Sequence, residues 1–204
     1  MPSRNHVAEQ VRLLLAEEPI APGDRLPPER ELAARLGVSR SSLREGLRRL
    51  TDLGIIESRQ GSGTYLAPLD LGDLFDVRLR LEPLAARLAA ERHGEEDLRR
   101  IDDALVAMAA VRADPHAFGE ADTRAHAAIV EASASLPLRV LFSAIADLLR
   151  HSRATTLGDD AQRRVTLDEL EAIVTAIRAG DADGAEAAMH RHIARVGETL
   201  PSSG

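Results

Sequence analysis

In the stretch HVAEQVRLLLAEE the apolar residues fall at Val7, Val11, Leu14 and Leu15, the spacing of one face of an α-helix, and the Pro and Gly of the following PIAPGDRLPP end it. A second helix is predicted through ERELAARL, with Leu32 and Leu36 on one side. Pro28 suits its first turn, where a missing N–H is not needed, and Gly37 suits its left-handed cap. Ser39 is the expected N-cap of a third helix, its hydroxyl accepting from the free N–H groups of the first turn. On that helix Leu43, Leu47 and Leu50 form a narrow stripe, and at about 100° per residue Arg40, Ser41, Arg44 and Arg48 gather on the far side. After Gly54 the period changes: in IIESRQGSGTYLA, Ile55, Ile56, Tyr65 and Leu66 flank a Gly-Ser-Gly turn, which reads as a short β-hairpin. From about residue 70 to 200 only helical periodicity is present, in roughly six segments broken near His93-Gly94, Asp114-Pro115, Ser135-Leu136-Pro137, Leu157-Gly158 and Gly180-Asp181. The predicted fold is mainly α. An N-terminal winged helix-turn-helix with a small β-hairpin wing spans residues 1–67, and an all-α bundle of about six helices spans residues 70–200, with the boundary near Ala67-Pro68.

Composition narrows the classes. At 204 residues and 44% hydrophobic content the chain can bury a real core. No apolar run approaches the ~20 residues that span a bilayer, and MPSRNHVAEQ lacks the apolar core of a signal peptide, so a cytoplasmic protein with no membrane partner is expected. The absence of cysteine removes disulfides, Cys-ligated zinc and thiol catalysis, which leaves His, Asp and Glu to build any metal site. Four aromatic residues, Tyr65, Phe75, Phe118 and Phe142, supply few platforms for stacked single-stranded bases. Residues 1–67 hold 10 Arg against 9 acids, whereas residues 68–204 hold 16 Arg against 24 acids. The acidic second part is unsuited to lie against phosphate, and the first part can do so if its arginines share one face.

Arginines on a helix face are often only solvated surface. Here three neighbours add to them: a short helix joined through a tight turn, small Ser residues where a backbone must approach phosphate closely, and a hairpin with a Gly-rich tip. Together they describe a winged helix-turn-helix whose third helix enters the major groove and whose wing touches the adjacent backbone or minor groove.

The run PGDRLPPERELAARLGVSRSSLREGLRRLTDLGIIESRQGSGTYLA, residues 22–67, resembles the DNA-binding domain of the GntR family of bacterial transcription regulators. By that resemblance Arg30 at the start of the second helix, Arg40 and Arg44 on the recognition helix, Ser39, Ser41 and Ser42 beside them, and Gly61 in the wing occupy DNA-contacting positions. Pro28 departs from the pattern, which often has Ser there, so a capping oxygen is missing. A guanidinium fork can pair with guanine O6 and N7, which makes Arg40 and Arg44 the expected base readers, with Arg48 and Arg49 facing phosphate or solvent.

DVRLRLEPLAARLAAER, ADTRAHAAIVEAS and AIRAGDADGAEAAMHRHI resemble the C-terminal effector domain of the FadR-like branch of the same family, the FCD type. The resemblance implies a helical bundle that pairs as a homodimer and binds a small organic acid, in many members through a divalent metal such as zinc or nickel held by an Asp and three His. Asp122 and His126 match the first two ligands and His192 the last, while Leu170 stands where the pattern calls for His. A plainer reading makes Asp122 and His126, one helical turn apart, a hydrogen-bonded pair inside the bundle. Arg78 matches an inward-facing arginine that can meet the effector carboxylate. His190 points elsewhere on its helix, and His6, His93, His116 and His151 have no motif around them.

The expected function is a dimeric DNA-binding transcription regulator, a repressor by default, that binds a palindromic double-stranded operator under control of a small organic-acid effector. Two alternatives stand beside it. The bundle could only dimerise, its metal and ligand binding lost with the histidine at 170, or two His and a carboxylate could hold catalytic iron in a metalloenzyme. Against the enzyme stand the lack of a recognisable nucleophile or base near those residues and a DNA-reading domain that an enzyme does not need.

Overall fold

The computed structural model describes residues 22–68, 70–156 and 158–199, with Val7, Ala8, Gln10, Val11, Leu14 and Ile20 ahead of them; over 147–156 it describes backbone alone. His6, Leu15, Leu157 and the His151 side chain lie outside the described residues. The chain divides into two compact units, Met1–Leu69 and Asp70–Gly204.

In the first unit, Val7, Ala8, Gln10, Val11 and Leu14 are helical, as their spacing predicts. Helix α1, Glu29–Arg35, begins one residue later than expected, because Pro28 takes the N-cap rather than the first turn. Its φ of −55° suits that place, no side chain caps the helix, and the Pro28 carbonyl accepts from the N–H groups of Glu31 and Leu32. The helix ends at Gly37 in a Schellman motif, with Val38 N–H donating to Ala33 O at 3.0 Å and Gly37 N–H to Ala34 O at 3.3 Å. Helix α2, Arg40–Asp52, starts on Ser39, whose Oγ accepts from Ser42 N–H at 3.1 Å. Leu43, Leu47 and Leu50 are buried with Val11, Leu32 and Ile56 in one apolar cluster, so α2 packs by the predicted stripe. Gly46 lies on the same side: a Cβ there would come within 2.9 Å of Val7 Cγ1 and 3.2 Å of Ala8 N, so its missing side chain lets the N-terminal helical residues rest against α2.

Strands β1, Ile56–Arg59, and β2, Gly63–Leu66, pair antiparallel with Ile56 opposite Leu66, Glu57 opposite Tyr65 and Arg59 opposite Gly63. Residues 23–26 run along the free side of β2, where Leu26 N–H donates to Thr64 O at 2.8 Å and Leu66 N–H to Asp24 O at 2.9 Å. Ile56 and Leu26 are buried, which ties the hairpin to the helices.

The second unit holds helices α3, Leu71–Arg92; α4, Glu95–Ala110; α5, Pro115–Ala132; α6, Leu136–Thr156; α7, Asp160–Arg178; and α8, Ala182–Glu198. Four open on Asp N-caps, Asp70, Asp114, Asp159 and Asp181, each accepting backbone N–H groups of the first turn. The breaks fall where Gly, Pro and Asp predict them. Helix α3 packs on α5 and α8, α4 on α5, and α7 on α8. Ala85, Ala86, Ala89 and Ala90 let α3 lie close to its neighbours, and Ile101, Met108, Phe118, Ile129, Leu170, Ile173, Ile177, Met189 and Ile193 fill the shared core.

Candidate functional sites: an arginine face and a buried histidine cluster

The recognition face lies in the first unit. Arg40, Ser41, Arg44 and Arg48 are exposed opposite the buried leucines of α2, with Ser42 half-buried beside them. Arg30 is exposed in the first turn of α1, and Gly61 is exposed at the hairpin turn. Ser39 Oγ caps the helix and also lies 2.9 Å from Ser41 Oγ and 2.8 Å from Ser42 Oγ, so three hydroxyls cluster at the N-terminus of α2. Arg44 Nε donates to Glu29 Oε2 at 2.8 Å, joining the start of α1 to the middle of the arginine face. Fifteen residues separate the two in sequence. No periodicity marks Glu29 as a partner, which is why it is absent from the sequence reading.

The second unit buries a polar cluster in its core. Arg78 and Glu82 come from α3, Asp122 and His126 from α5, and His192 from α8, and all five are buried. Arg78 donates to Glu82 through Nε at 2.5 Å and Nη2 at 3.4 Å, a two-point pair at i, i+4. The other face of Glu82 meets His126, whose Nδ1 lies against Glu82 Oε2. His192 Nδ1 sits 2.7 Å from Glu169 Oε2, and Glu169 is held in turn by Arg195 Nε and Nη2, both at 2.7 Å. Arg195 also donates to Gln162 Oε1 and Thr166 Oγ1, so α7 supplies a polar rim that grips α8.

Each imidazole therefore points Nδ1 at a carboxylate and Nε2 inward. The two Nε2 atoms are 3.3 Å apart, and His126 Nε2 is 3.6 Å from Asp122 Oδ1. A carboxylate facing Nδ1 favours the proton there, the tautomer that turns a lone pair of each Nε2 inward; with one ring in the other tautomer the 3.3 Å contact is a hydrogen bond between them. Three donor atoms of Asp122, His126 and His192 thus converge within 4.8 Å. Lone pairs and a carboxylate oxygen that close repel one another unless a proton or a metal cation lies between them, and two imidazoles with one carboxylate suit a divalent transition metal.

The charges agree with this arrangement. Burial alone would raise the Glu82 carboxyl, but Arg78 and His126 outweigh it and hold the group well below the usual carboxylate range. Glu169 is likewise lowered: burial raises it, and His192 and Arg195 more than offset that. Burial pushes His192 down to about 4 against the opposing pull of Glu169, with His126 and Arg78 adding to the shift. A neutral ring is the form that ligates.

All three sequence-matched ligands meet in one place, and Arg78 faces inward as expected. Leu170 is fully buried in the apolar core, one residue from Glu169. Glu82 and Glu169 were not singled out from sequence, since a Glu on a helix ordinarily reads as solvated surface. The i, i+4 spacing of Arg78 and Glu82 was the one available signal. His190 is exposed, and His93 Nδ1 lies 2.9 Å from the Ala89 carbonyl as a helix-end contact. Among the described residues no helix is long and apolar enough to cross a membrane.

Residues 3–66 match the family described as bacterial regulatory proteins, gntR family, and residues 73–195 match the FCD domain. The chain is 34% identical to the putative L-lactate dehydrogenase operon regulatory protein of Escherichia coli (strain K12), over 96% of this chain and 85% of that protein. It is 35% identical to the galactonate operon transcriptional repressor of the same organism, over 82% of this chain and 83% of that protein. Among solved structures, E. coli McbR/YncC superposes with a TM-score of 0.76 at 19% identity, covering 96% of this chain and 95% of that one, a likeness of fold.

Proposed function

The chain belongs to the gntR family of bacterial regulatory proteins, with an FCD domain as its second unit, and from this premise we propose that it represses an operon under control of a metal-assisted organic-acid effector. It is a DNA-binding transcription regulator and not an enzyme. In this reading Arg40 and Arg44 read base edges in the major groove, Arg30, Ser39, Ser41 and Ser42 fix register on phosphates, and Gly61 brings the wing backbone close to the duplex. Two copies pair and meet the half-sites of a palindromic operator in the cytoplasm.

The observation that carries the effector half is the convergence of the two Nε2 atoms and Asp122 Oδ1 in the buried core, backed by Glu82 and Glu169. Asp122, His126 and His192 would hold a divalent ion such as zinc, nickel or manganese. Leu170 offers no donor, so the protein supplies two imidazoles and one carboxylate and leaves coordination positions to the effector. When bound, the ion supplies a positive centre for an acid's carboxylate. Arg78 gives two of its donors to Glu82, and its remaining edge is the part suited to the same acid. The names of the two relatives, which refer to operons of lactate and galactonate, favour a hydroxy acid. An effector that prefers one state of the regulator must change operator affinity by its differential binding.

Elemental analysis of purified protein, followed by thermal melts with a panel of hydroxy acids, tests this. We expect stoichiometric metal that is lost in His126→Ala, and at least one acid that raises the melting temperature and releases operator DNA. A metal-free wild type that still responds to its acid overturns the metal. Metal-free protein that responds to no acid leaves the bundle as a dimerisation module.

A further inference from the structure

The hairpin carries positive charge that the recognition face does not include. Residues 57, 59, 63 and 65 share the face of the hairpin opposite buried Ile56. On it the Arg59 guanidinium lies over the Tyr65 ring, 4.2 Å from the centroid, and the Tyr65 hydroxyl is fixed by Ser62 Oγ at 2.6 Å. Arg59 also meets Glu57 Oε2 at 3.3 Å, an exposed pair that neutralises it only in part. Arg25 arrives from the neighbouring segment, bridged by backbone to Tyr65. Its side chain runs towards the turn and lies across Gly63: a Cβ there would sit 2.7 Å from Arg25 Nε and 3.1 Å from Nη2. Gly63 is the cross-strand partner of Arg59, so the two arginines share one face of the wing: the Arg25 guanidinium lies at its turn end beside exposed Gly61 and Ser62, and that of Arg59 leans back over Tyr65 towards Glu57. Among the described residues Arg25 has no carboxylate partner, and its exposed guanidinium rests on uncharged backbone.

We propose that Arg25 and Arg59 form a two-point phosphate clamp on the wing, which grips the DNA backbone beside the groove read by α2. The inference rests on the DNA-binding function but not on the effector reading. Two features favour phosphate over bases. Arg59 is stacked on a ring and Arg25 is laid across Gly63, so neither projects as a finger into a groove. Both also sit close to Gly61 and Ser62, exposed residues without bulky side chains. Gly63 admits Arg25 at this place: its φ of 127° is one that side chains rarely adopt, and a Cβ there would also displace the arginine.

The test is binding of the full-length protein to a labelled random-sequence duplex and to a duplex selected from a random library by the wild type, each over a salt series. Arg25→Ala and Arg59→Ala are each expected to weaken both duplexes by the same factor. Each should also reduce the slope of log K against log salt by about 0.9 per protomer. Arg25→Gln, which keeps the length of the side chain, decides the matter should the alanine variant melt early. An unchanged slope in a variant that melts like wild type overturns the clamp and leaves the arginines as solvated surface. A loss confined to the selected duplex also overturns it, because that outcome marks a base reader.

Discussion

Arg44 is exposed on α2 yet already oriented, because Glu29 accepts from its Nε and leaves the Nη edge directed outward. That edge is the one that can fork onto guanine O6 and N7. Replacing Arg44 by Ala is expected to cost about 1–3 kcal/mol of operator binding while leaving affinity for random-sequence DNA nearly unchanged. Arg44→Lys should recover little, since an ammonium cannot make the two-point contact. Competition binding with operator and random duplexes measures the difference, and equal losses on the two would reassign Arg44 to phosphate. The sequence showed which residues share the exposed face of α2 because a single helix carries them, and the 3.6-residue period sorts Arg40 and Arg44 from Leu43 and Leu47. It could not show Glu29 holding Arg44, or Glu169 holding His192, since both pairings depend on how separate helices dock.

At the scale of elements, the position of α2 depends on its contact with the helical residues at Val7 and Ala8, and Gly46 is what admits them. In an open helix a Gly→Ala change would stabilise by roughly 1 kcal/mol, but here the added carbon meets Val7 and the backbone of Ala8. Gly46→Val is expected to lower stability by about 1–3 kcal/mol through overpacking and to weaken operator binding, although residue 46 lies on the buried side of α2. A melt and a gel shift on the same variant check this; wild-type behaviour in both would show that the contact yields freely. Helix boundaries were legible because Pro, Gly and Asp mark them, from the Gly37 cap to the Asp N-caps of the second unit. Gly46 was not, since a glycine inside an apolar stripe has no side chain to reveal that a neighbour needs the space. The hairpin was legible as a hairpin. Its load of charge was not, because Arg25 reaches it from a separate segment.

For the whole molecule, the buried cluster sets the response to acid. Burial pushes His192 down to about 4 in the folded chain, against about 6.5 when unfolded. As pH falls below about 6.5 the unfolded chain takes a proton that the native chain refuses until about 4. Stability present above that window is therefore lost across it, by on the order of 3 kcal/mol. Glu82 and Glu169, both held low by neighbouring cations, extend the loss further into acid. Urea midpoints of chelator-treated protein should fall steeply through this range, and His192→Phe should flatten the fall between neutrality and the carboxylate region. A wild-type midpoint constant across the window would show that the ring is not buried neutral.

The Glu29 carboxylate also bears on how the regulator travels. Beside Arg44 it repels any phosphate the guanidinium might settle on, so a molecule scanning foreign stretches of chromosome gains little grip from its reading head and moves on. If Arg44 reads a base as proposed, a guanine edge, which brings no negative charge of its own, lets it engage while its acid companion stays in place. On that reading, the ion pair that orients the side chain would also keep the search from stalling.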